Sequence, residues 1–249
     1  MPVHFDKQGP VAVLTLDRPD KRNAFDRALT AALDEALNAY EDDPALRVAV
    51  LTGGTQFFSA GTDVVAWAGE PTPRGGPYGI AGRRLQKPII AAVEGIAAGG
   101  GFEIALSASM IVASTTASFS LPEVGLGLIA ECGGLFRGPR ALPLNIAREL
   151  LLTGAPLGAE RAHALGLVNH LTEPGQALTQ ALALARQIAG RAPLAVRETL
   201  AALEALNAED DARGWALTEH AKTVARQSAD AKEGVAAFKA RRTPQWQGR

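Results

Sequence analysis

The amino-acid sequence predicts an α/β fold, and three observations support this prediction. Short apolar runs with the length and β-branched content of strands alternate with segments whose apolar residues recur at helical spacing. The runs are continuously apolar, which is typical of strands in sheets that are covered on both faces. The second half of the chain is mostly helical by the same criterion. Strands and helices that follow one another in this way indicate the α/β class.

Four apolar runs are predicted to be strands, and turn-forming residues end the first two. The runs are residues 11–16, 48–52, 88–93 and 110–113. The first stops at Asp17-Arg18-Pro19 and the second at Gly53-Gly54. A helix is predicted to start near Asp26, because four apolar residues that follow it lie on one stripe, namely Leu29, Leu33, Leu37 and Tyr40.

Six further helices are predicted from Pro143 onward. They cover residues 145–152, 159–165, 176–189, 194–206, 212–227 and 231–241. An alanine stripe in the third of them suits close packing against a neighbouring element. The segment 69–77 is rich in Pro and Gly and is expected to be mobile. We expect an α/β core in residues 1–193 and a helical tail in residues 194–249.

The charge of the chain is nearly balanced. Lys and Arg number 25 and Asp and Glu number 26, which gives no attraction to nucleic acid or to anionic membranes. The single cysteine, Cys132, excludes an internal disulfide and fits a reducing compartment. The first residues lack the pattern of a secretory signal, and the run 89–93 is too short to span a bilayer. We therefore expect a cytoplasmic protein without nucleic-acid or membrane partners. The four histidines have no metal-ligand spacing, so no metal site is predicted.

The segment Gly99-Gly100-Gly101-Phe102-Glu103 is the most informative part of the sequence. Three glycines follow a buried strand and precede a helical run, so a ligand can approach the backbone closely. The free N–H groups at the start of that helix suit a developing oxyanion. A tight turn that needs glycine explains the spacing equally well.

Two carboxylates accompany this glycine turn. Glu103 directly follows the glycines, and Glu123 lies twenty residues further on. Each alone is compatible with an ordinary helix or loop charge, but together they form a candidate acid–base pair. A second turn, at residues 57–63, is by itself compatible with a β-to-α connection in which Asp63 caps a helix.

Taken in order, these motifs resemble the crotonase (enoyl-CoA hydratase/isomerase) superfamily over nearly the whole chain. The matching segments are residues 17–24, 58–63, 87–95, 99–103, 122–127, 149–154, 164–168 and 233–238. Each motif alone is weakly specific, whereas their common order is a strong signal. The resemblance implies a crotonase-type spiral of ββα units, followed by a helical tail that packs at the subunit boundaries of a homotrimer or hexamer.

The resemblance also implies the residues of the site. The backbone N–H groups of Thr62 and Gly100 form an oxyanion hole for the thioester oxygen. Glu103 deprotonates a water molecule that attacks C3, and Glu123 delivers a proton to C2. Family members usually have a smaller residue than Thr62 at that position, so its side chain is expected to crowd the thioester.

Eight residues are expected to contact coenzyme A. They are Arg18, Lys21, Arg22, Ala24, Ala60, Asp63, Phe238 and Arg241. Arginine pairs with phosphate in a fork, and an aromatic ring can cover the adenine. Without the resemblance, Arg241 is better interpreted as a solvated helix end that the helix dipole favours. With it, Phe238 and Arg241 complete the coenzyme site, and a position across a subunit interface is one way to do so.

One loop departs from the family pattern. At residues 130–134, relatives commonly have Pro-Gly-Ala-Gly-Gly, whereas this chain has Ala-Glu-Cys-Gly-Gly. Hydratases usually have glycine at the position of Glu131, while dienoyl-CoA isomerases and carnitinyl-CoA dehydratases carry an Asp near this point. Glu131 is therefore a possible third carboxylate of the site. Alternatively, it pairs with a nearby arginine such as Arg137 or Arg140 and never meets substrate.

The sequence thus predicts an enoyl-CoA hydratase that adds water across the 2,3 double bond of an acyl-CoA thioester in fatty-acid or related metabolism. The alternatives are an enoyl- or dienoyl-CoA isomerase, a carnitinyl-CoA-type dehydratase that uses Glu131, and, more distantly, a non-catalytic crotonase-like binding protein. The intact glycine turn, Glu103 and Glu123 argue against the last alternative. No cofactor is expected, because coenzyme A is part of the substrate.

Overall fold

The computed structural model describes residues 2–249, so that Met1 lies outside it. Its strands are β1 (Val3–Gln8), β2 (Val11–Leu16), β3 (Val48–Thr52), β4 (Ile89–Val93), β5 (Ile96–Ala98), β6 (Met110–Ser114), β7 (Ser118–Ser120), β8 (Leu157–Gly158) and β9 (His170–Thr172). Its helices are α1 (Arg27–Asp42), α2 (Gly100–Leu106), α3 (Gly134–Ala141), α4 (Leu144–Thr153), α5 (Ala159–Ala164), α6 (Ala177–Ala189), α7 (Pro193–Gln227) and α8 (Ala229–Ala240). Short 3₁₀ turns cover Pro19–Lys21, Pro77–Gly79 and Pro122–Leu126.

A six-stranded sheet forms the centre of the fold, in the order β1-β2-β3-β4-β6-β9. β1 and β2 are antiparallel, and all the other neighbours are parallel. A smaller sheet, β5-β7-β8, stands beside it. Because parallel strands end at the same edge of a sheet, the segments that follow β2, β3 and β4 start at one edge. These segments carry the glycine turns and the motif at residues 17–24.

Both faces of the central sheet are covered, as the continuously apolar strands predict. Along β3, Val48 and Val50 pack on the side of α6, whereas Ala49 and Leu51 belong to the larger core on the other side, which includes α1. The alanine stripe of α6 is buried against the first face: Ala177, Ala181, Ala185 and Ala189. Each fully buried valine or leucine contributes about 1.5–3 kcal/mol relative to an exposed one, so the two cores fix the strands from which the site loops start.

The four predicted strands and the helix after Asp26 are confirmed. The side chain of Asp26 accepts a hydrogen bond from the Leu29 N–H at 2.8 Å and so caps α1. The prediction of separate helices at 194–206 and 212–227 is wrong, because the chain continues through both as α7. Residues 207–211 are mostly polar but contain no Gly or Pro, and nothing in them stops a helix. Strands β1 and β9 and the strands of the smaller sheet were not predicted. β1 consists mostly of polar residues, and two or three residues give no readable periodicity.

The segment 69–77, which was expected to be mobile, is bonded to α1. Thr72 Oγ1 donates to Asp34 Oδ1 at 2.9 Å, and Arg74 Nη1 donates to Asp42 Oδ2 at 2.7 Å. This segment leads into the turn that carries Tyr78, so α1 helps to place that residue. Among residues 2–249, no helix is both long enough and apolar enough to cross a bilayer.

Candidate active site

Buried Asn23 and Ser59 join the loop after β2 to the loop after β3. Nδ2 of Asn23 donates to the carbonyl oxygen of Phe58 at 3.1 Å, and Ser59 Oγ donates to the carbonyl oxygen of Asn23 at 2.8 Å. The N–H of Gly61 in turn donates to Ser59 Oγ at 3.1 Å. These bonds fix the backbone that leads to Thr62.

Thr62 and Gly100 lie on two segments that approach each other through Gly61. A Cβ atom on Gly61 would lie 2.5 Å from the carbonyl oxygen of Ala98 and 3.0 Å from the nitrogen of Gly100, so a side chain does not fit there. Gly61 also has a φ of 89°, which favours glycine. Because Gly61 has no side chain and adopts a positive φ, the loop after β3 can lie against the start of α2.

The N–H groups of Thr62 and Gly100 are both available to a ligand. Phe25 bonds to the carbonyl of Gly61 and to the N–H of Asp63, and no acceptor for the Thr62 N–H lies in the described part of the chain. Gly100 is the first residue of α2, where an N–H has no acceptor within the helix. Two free N–H groups on adjoining segments can bind one oxygen that gains negative charge.

Tyr78 stands between these two residues, and the sequence reasoning did not single it out. Its hydroxyl lies 2.7 Å from Thr62 Oγ1, and a Cβ atom on Gly100 would collide with its ring. The ring packs edge-on against Phe25 with 5.4 Å between centroids. Tyr78 has a φ of 55°, which non-glycine residues rarely adopt. A tyrosine flanked by glycines in a Gly-Gly-Pro-Tyr-Gly turn was the available signal.

Glu103 lies on α2 and is held by the loop that departs from the family pattern. Its Oε1 accepts hydrogen bonds from the N–H groups of Cys132 at 2.7 Å and Gly134 at 2.9 Å. Burial raises the pKa of Glu103 to about 7, although these two N–H groups stabilise the charged form. A carboxylate with a pKa near neutrality suits a general base.

Glu123 lies in the 3₁₀ turn Pro122–Leu126 and points toward the glycine turn. A Cβ atom on Gly99, whose φ is 54°, would lie 3.0 Å from Glu123 Oε1. Glu123 Oε2 is shielded from solvent and has no hydrogen-bond partner among the described residues. Burial and the nearby Glu103 raise the pKa of Glu123 to about 8. Since Glu103 has donors for its charged form, a proton shared by the pair resides mainly on Glu123.

A cavity of about 900 Å³ connects these groups. Both carboxylates, Thr62, Gly100 and Tyr78 line it. Five of the residues expected to contact coenzyme A line it as well, namely Lys21, Ala24, Ala60, Asp63 and Phe238. The size is that of a site for a ligand larger than the acyl group alone. A smaller cavity of about 360 Å³, beside Arg84 and Arg197, contains neither Glu103 nor Glu123.

Three residues expected to contact coenzyme A do not line the cavity: Arg18, Arg22 and Arg241. Arg18 is bonded within the protein, since its Nη1 donates to Asp63 Oδ2 at 2.9 Å and its Nη2 lies 3.2 Å from Asp26 Oδ2. Desolvation raises the pKa of Asp63, but hydrogen bonds from the N–H groups of Ala66 and Val65 and from Arg18 outweigh it and lower that pKa. Asp63 also accepts from two following N–H groups, but no helix begins there. Arg241 is the left-handed residue that ends α8.

Three further cationic residues line the cavity, and the sequence analysis did not predict them. Arg27 lines the cavity together with Lys21, and Lys222 and Arg226 line it from α7. Phe238 lines the cavity of its own chain, so this contact needs no second subunit. The signal for Arg27 was its position at the start of α1, three residues after the motif at residues 17–24.

Glu131 lines the cavity and pairs with Arg226. Oε2 of Glu131 lies 2.9 Å from Nη2 of Arg226, and Oε1 accepts hydrogen bonds from Nε and Nη2 at 3.1 and 3.0 Å. The suggestion that Arg137 or Arg140 is the partner is wrong, because both are engaged elsewhere. The partner, Arg226, lies 95 residues away on α7, so the residues near Glu131 in the sequence could not predict this pair.

Cys132 contributes its backbone to this site. Burial and the neighbouring Glu103 raise the pKa of its thiol well above the ordinary value, so the thiol stays protonated and is a poor nucleophile. Its N–H is one of the two that bind Glu103.

Comparison with known proteins extends these observations. The sequence model of the family described as enoyl-CoA hydratase/isomerase matches residues 6–249. The chain belongs to this family. A carnitinyl-CoA dehydratase from Salmonella typhi is 42% identical, over 99% of this chain and 98% of that protein. The carnitinyl-CoA hydratase structure from Mycobacterium avium has a TM-score of 0.93 at 37% identity, over 100% of this chain and 99% of that one.

A structure named enoyl-CoA hydratase, from Mycobacterium tuberculosis H37Rv, has a TM-score of 0.81 at 42% identity, over 100% of this chain and 99% of that one. The crotonase fold and the enzyme class implied by the ordered motifs are therefore confirmed: this member of the enoyl-CoA hydratase/isomerase family is a crotonase-type enzyme of the hydratase and dehydratase kind.

Proposed function

We propose that the protein is an enoyl-CoA hydratase, which adds water across the 2,3 double bond of an enoyl-CoA thioester. The contrast between its two carboxylates carries this proposal. Glu103 accepts two backbone hydrogen bonds, whereas Oε2 of Glu123 accepts none. One base and one acid beside two free N–H groups are what the addition of water to a conjugated thioester requires.

Each group has one role in the proposed reaction. Glu103 removes a proton from a water molecule as the water oxygen bonds to C3. The electrons of the double bond move toward the thioester oxygen, and the N–H groups of Thr62 and Gly100 stabilise the resulting enolate. Glu123 then donates its proton to C2, so that the elements of water have been added. Exchange with solvent returns the proton from Glu103 and restores Glu123.

The coenzyme A part of the substrate occupies the remainder of the cavity. Lys21 and Arg27 supply charge for its phosphates, and Phe238 provides an aromatic surface in the lining. The reaction transfers no electrons, so the chemistry calls for no redox cofactor.

A carnitinyl-CoA-type dehydratase is the second candidate, because a protein of that name is 42% identical to this chain. It uses the same enolate chemistry in reverse on a hydroxyacyl thioester. The two candidates therefore differ in the acyl group that they accept and not in Glu103, Glu123, Thr62 or Gly100.

The loss of the enoyl-thioester absorbance of crotonyl-CoA tests the proposal. Wild-type protein is expected to hydrate crotonyl-CoA, and Glu103→Gln and Glu123→Gln are expected to bind it without turnover. Conversion of 3-butenoyl-CoA into crotonyl-CoA at a higher rate than hydration would instead support an isomerase. Binding without any turnover by wild-type protein would support a non-catalytic relative.

The helical C-terminal region, residues 194–249, supports a second part of the proposal, namely assembly into a homotrimer or hexamer. Several apolar side chains of α7 are exposed on the single chain: Leu194, Leu203, Leu206, Leu217 and Val224. Apolar groups exposed in this number on one helix favour contact with another subunit. Light scattering measures the mass directly, and a monomer at micromolar concentration would contradict this part.

A further inference from the structure

Glu131 and Trp67 hold the guanidinium of Arg226 between them at the wall of the cavity. The carboxylate accepts hydrogen bonds from Nε and Nη2 of Arg226 at 3.1 and 3.0 Å. On the other side, the guanidinium carbon lies 5.9 Å from the centroid of the Trp67 ring. All three side chains line the cavity, and they come from three separate segments of the chain.

This cluster lies close to the reacting groups. Glu131 directly precedes Cys132, whose N–H binds Glu103. The negative charge of Glu131 also contributes to the raised pKa of both catalytic carboxylates. An acyl group whose double bond lies between Glu103 and Glu123 therefore shares its cavity with Arg226.

The backbone that carries the Trp67 ring is fixed on its side of the guanidinium. Its residue has a φ of 59°, which a bulky residue rarely adopts, and its N–H donates to the carbonyl oxygen of Asp63 at 2.8 Å. Asp63 is itself fixed by Arg18. Trp67 thus presents its ring from a loop that is tied to the oxyanion-hole segment.

An aromatic face opposite a carboxylate is an arrangement that binds quaternary ammonium groups. Here the guanidinium of Arg226 already lies between the Trp67 ring and the Glu131 carboxylate. The guanidinium fork of Arg226 contacts both oxygens of Glu131. A second cation brought to the same place would meet a like charge, and it would find the carboxylate of Glu131 already paired.

We propose that Arg226 is a specificity-determining residue, which makes the enzyme select enoyl groups without a permanent cation and reject those that carry a trimethylammonium group. The acyl group of carnitinyl-CoA carries such a group, so this inference separates the chain from relatives named for that substrate. It rests on the proposed acyl-CoA chemistry of the same cavity and names the substrate class within it.

Binding of unreactive thioesters tests the inference independently of turnover. Butyryl-CoA and 4-(trimethylammonio)butyryl-CoA have no double bond and differ by the cation. Calorimetry is expected to show that wild-type protein binds the neutral thioester at least about tenfold more tightly. In Arg226→Met the ratio of the two dissociation constants is expected to shift toward the cationic thioester by about tenfold or more. Arg226→Lys retains the charge and should keep the wild-type preference.

Arg213, exposed on the same helix, provides the matched control, and Arg213→Met should leave the ratio unchanged. Arg226→Gln replaces the methionine variant if that one does not fold. Equal binding of both thioesters by wild-type protein, or an unchanged ratio in Arg226→Met and Arg226→Gln, would overturn the inference. If the binding ratios are as expected but the protein does not hydrate crotonyl-CoA, the proposed function is overturned and the inference about Arg226 is not.

Discussion

The hydroxyl of Tyr78 lies 2.7 Å from the hydroxyl of Thr62, while the Tyr78 ring fills the space that a side chain on Gly100 would need. One buried tyrosine therefore contacts both residues whose N–H groups we propose to bind the thioester oxygen. Thr62, which is larger than the usual residue at this position, has its hydroxyl satisfied by Tyr78. We infer that the two side chains act together as a positioning pair.

Tyr78→Phe is expected to lower kcat for crotonyl-CoA about five- to tenfold, because one buried neutral hydrogen bond contributes about 1 kcal/mol to the geometry of the hole. KM should change less, since the N–H groups that the pair positions bind the oxygen more strongly in the transition state, when it gains charge. Steady-state kinetics separates the two constants.

A double-mutant cycle supplies the control for this pair. The loss of kcat in Thr62→Ala combined with Tyr78→Phe should be smaller than the sum of the losses in the two single variants, in free-energy terms. Either single variant already removes the hydrogen bond between the two hydroxyls, so the second change has no bond left to break. Additive effects on kcat would show that the two hydroxyls are independent.

Glu103→Gln and Glu123→Gln are each expected to reduce kcat by about 10²–10⁴-fold, because each removes one proton-transfer step. Dissociation constants for butyryl-CoA should remain within a few-fold of wild type. Glu35, exposed on α1, is the matched control, and Glu35→Gln should keep wild-type turnover. Near wild-type kcat in either of the first two variants would remove that residue from the mechanism.

The hydration rate is expected to depend on pH as a narrow bell. Burial raises the pKa of Glu103 to about 7, and this base is inactive when protonated, so the rate falls as the pH drops below that value. Burial and Glu103 raise the pKa of Glu123 to about 8, and this acid is inactive when ionised, so the rate falls above it. The two limits belong to the pair rather than to either residue alone.

Measurement of kcat/KM from pH 5 to 10 checks this dependence. Glu123→Gln should lose the alkaline limit from whatever activity remains. A rate that stays flat between pH 5 and 7 would mean that Glu103 is not the base of the rate-limiting step.

The sequence predicts the frame of this protein because its strands have a strong local signal. The runs at 11–16 and 48–52 are apolar throughout, and Asp26 carries its own cap signal, so these elements follow from neighbouring residues alone. The continuity of α7 could not be predicted, since polar residues at 207–211 weaken the periodicity without breaking the helix.

In the candidate site, too, local motifs predict some residues, whereas others depend on contacts between distant segments. Glu103, Glu123, Thr62 and Gly100 are found through ordered motifs, each of which is local. The contact of Glu131 with Arg226 depends on how α7 folds back over the cavity, and a single sequence holds no information on that pairing. Tyr78 is missed for a related reason, because its turn reaches Thr62 only through packing against Phe25 and α1.

Gly100→Pro and Gly100→Ala are compared, each combined with Tyr78→Ala as the background. The proline variant is expected to have a kcat about 10²–10³-fold lower than the alanine variant. The background removes the ring with which any Cβ atom at position 100 would collide. Proline fits the first turn of a helix and lacks only the N–H group, so the comparison isolates the oxyanion-hole donor. Equal kcat in the two double variants, both with native circular dichroism, would exclude that donor.

Lys21 and Arg27 are the cations that we expect to bind the phosphates of coenzyme A. Lys21 and Arg27 line the cavity, whereas Arg241 lies outside its lining at the end of α8. Lys21→Ala and Arg27→Ala should therefore raise KM for crotonyl-CoA by about tenfold, because each removes a charge that pairs with phosphate. KM for crotonyl-pantetheine, which has no adenosine phosphate, should change little. Arg241→Ala serves as the comparison and should affect neither substrate. If Arg241→Ala alone raised KM for the coenzyme A thioester, the phosphates would lie along α8, as the sequence motif suggests. If all three variants acted equally on both substrates, none of these charges would contact the adenosine part.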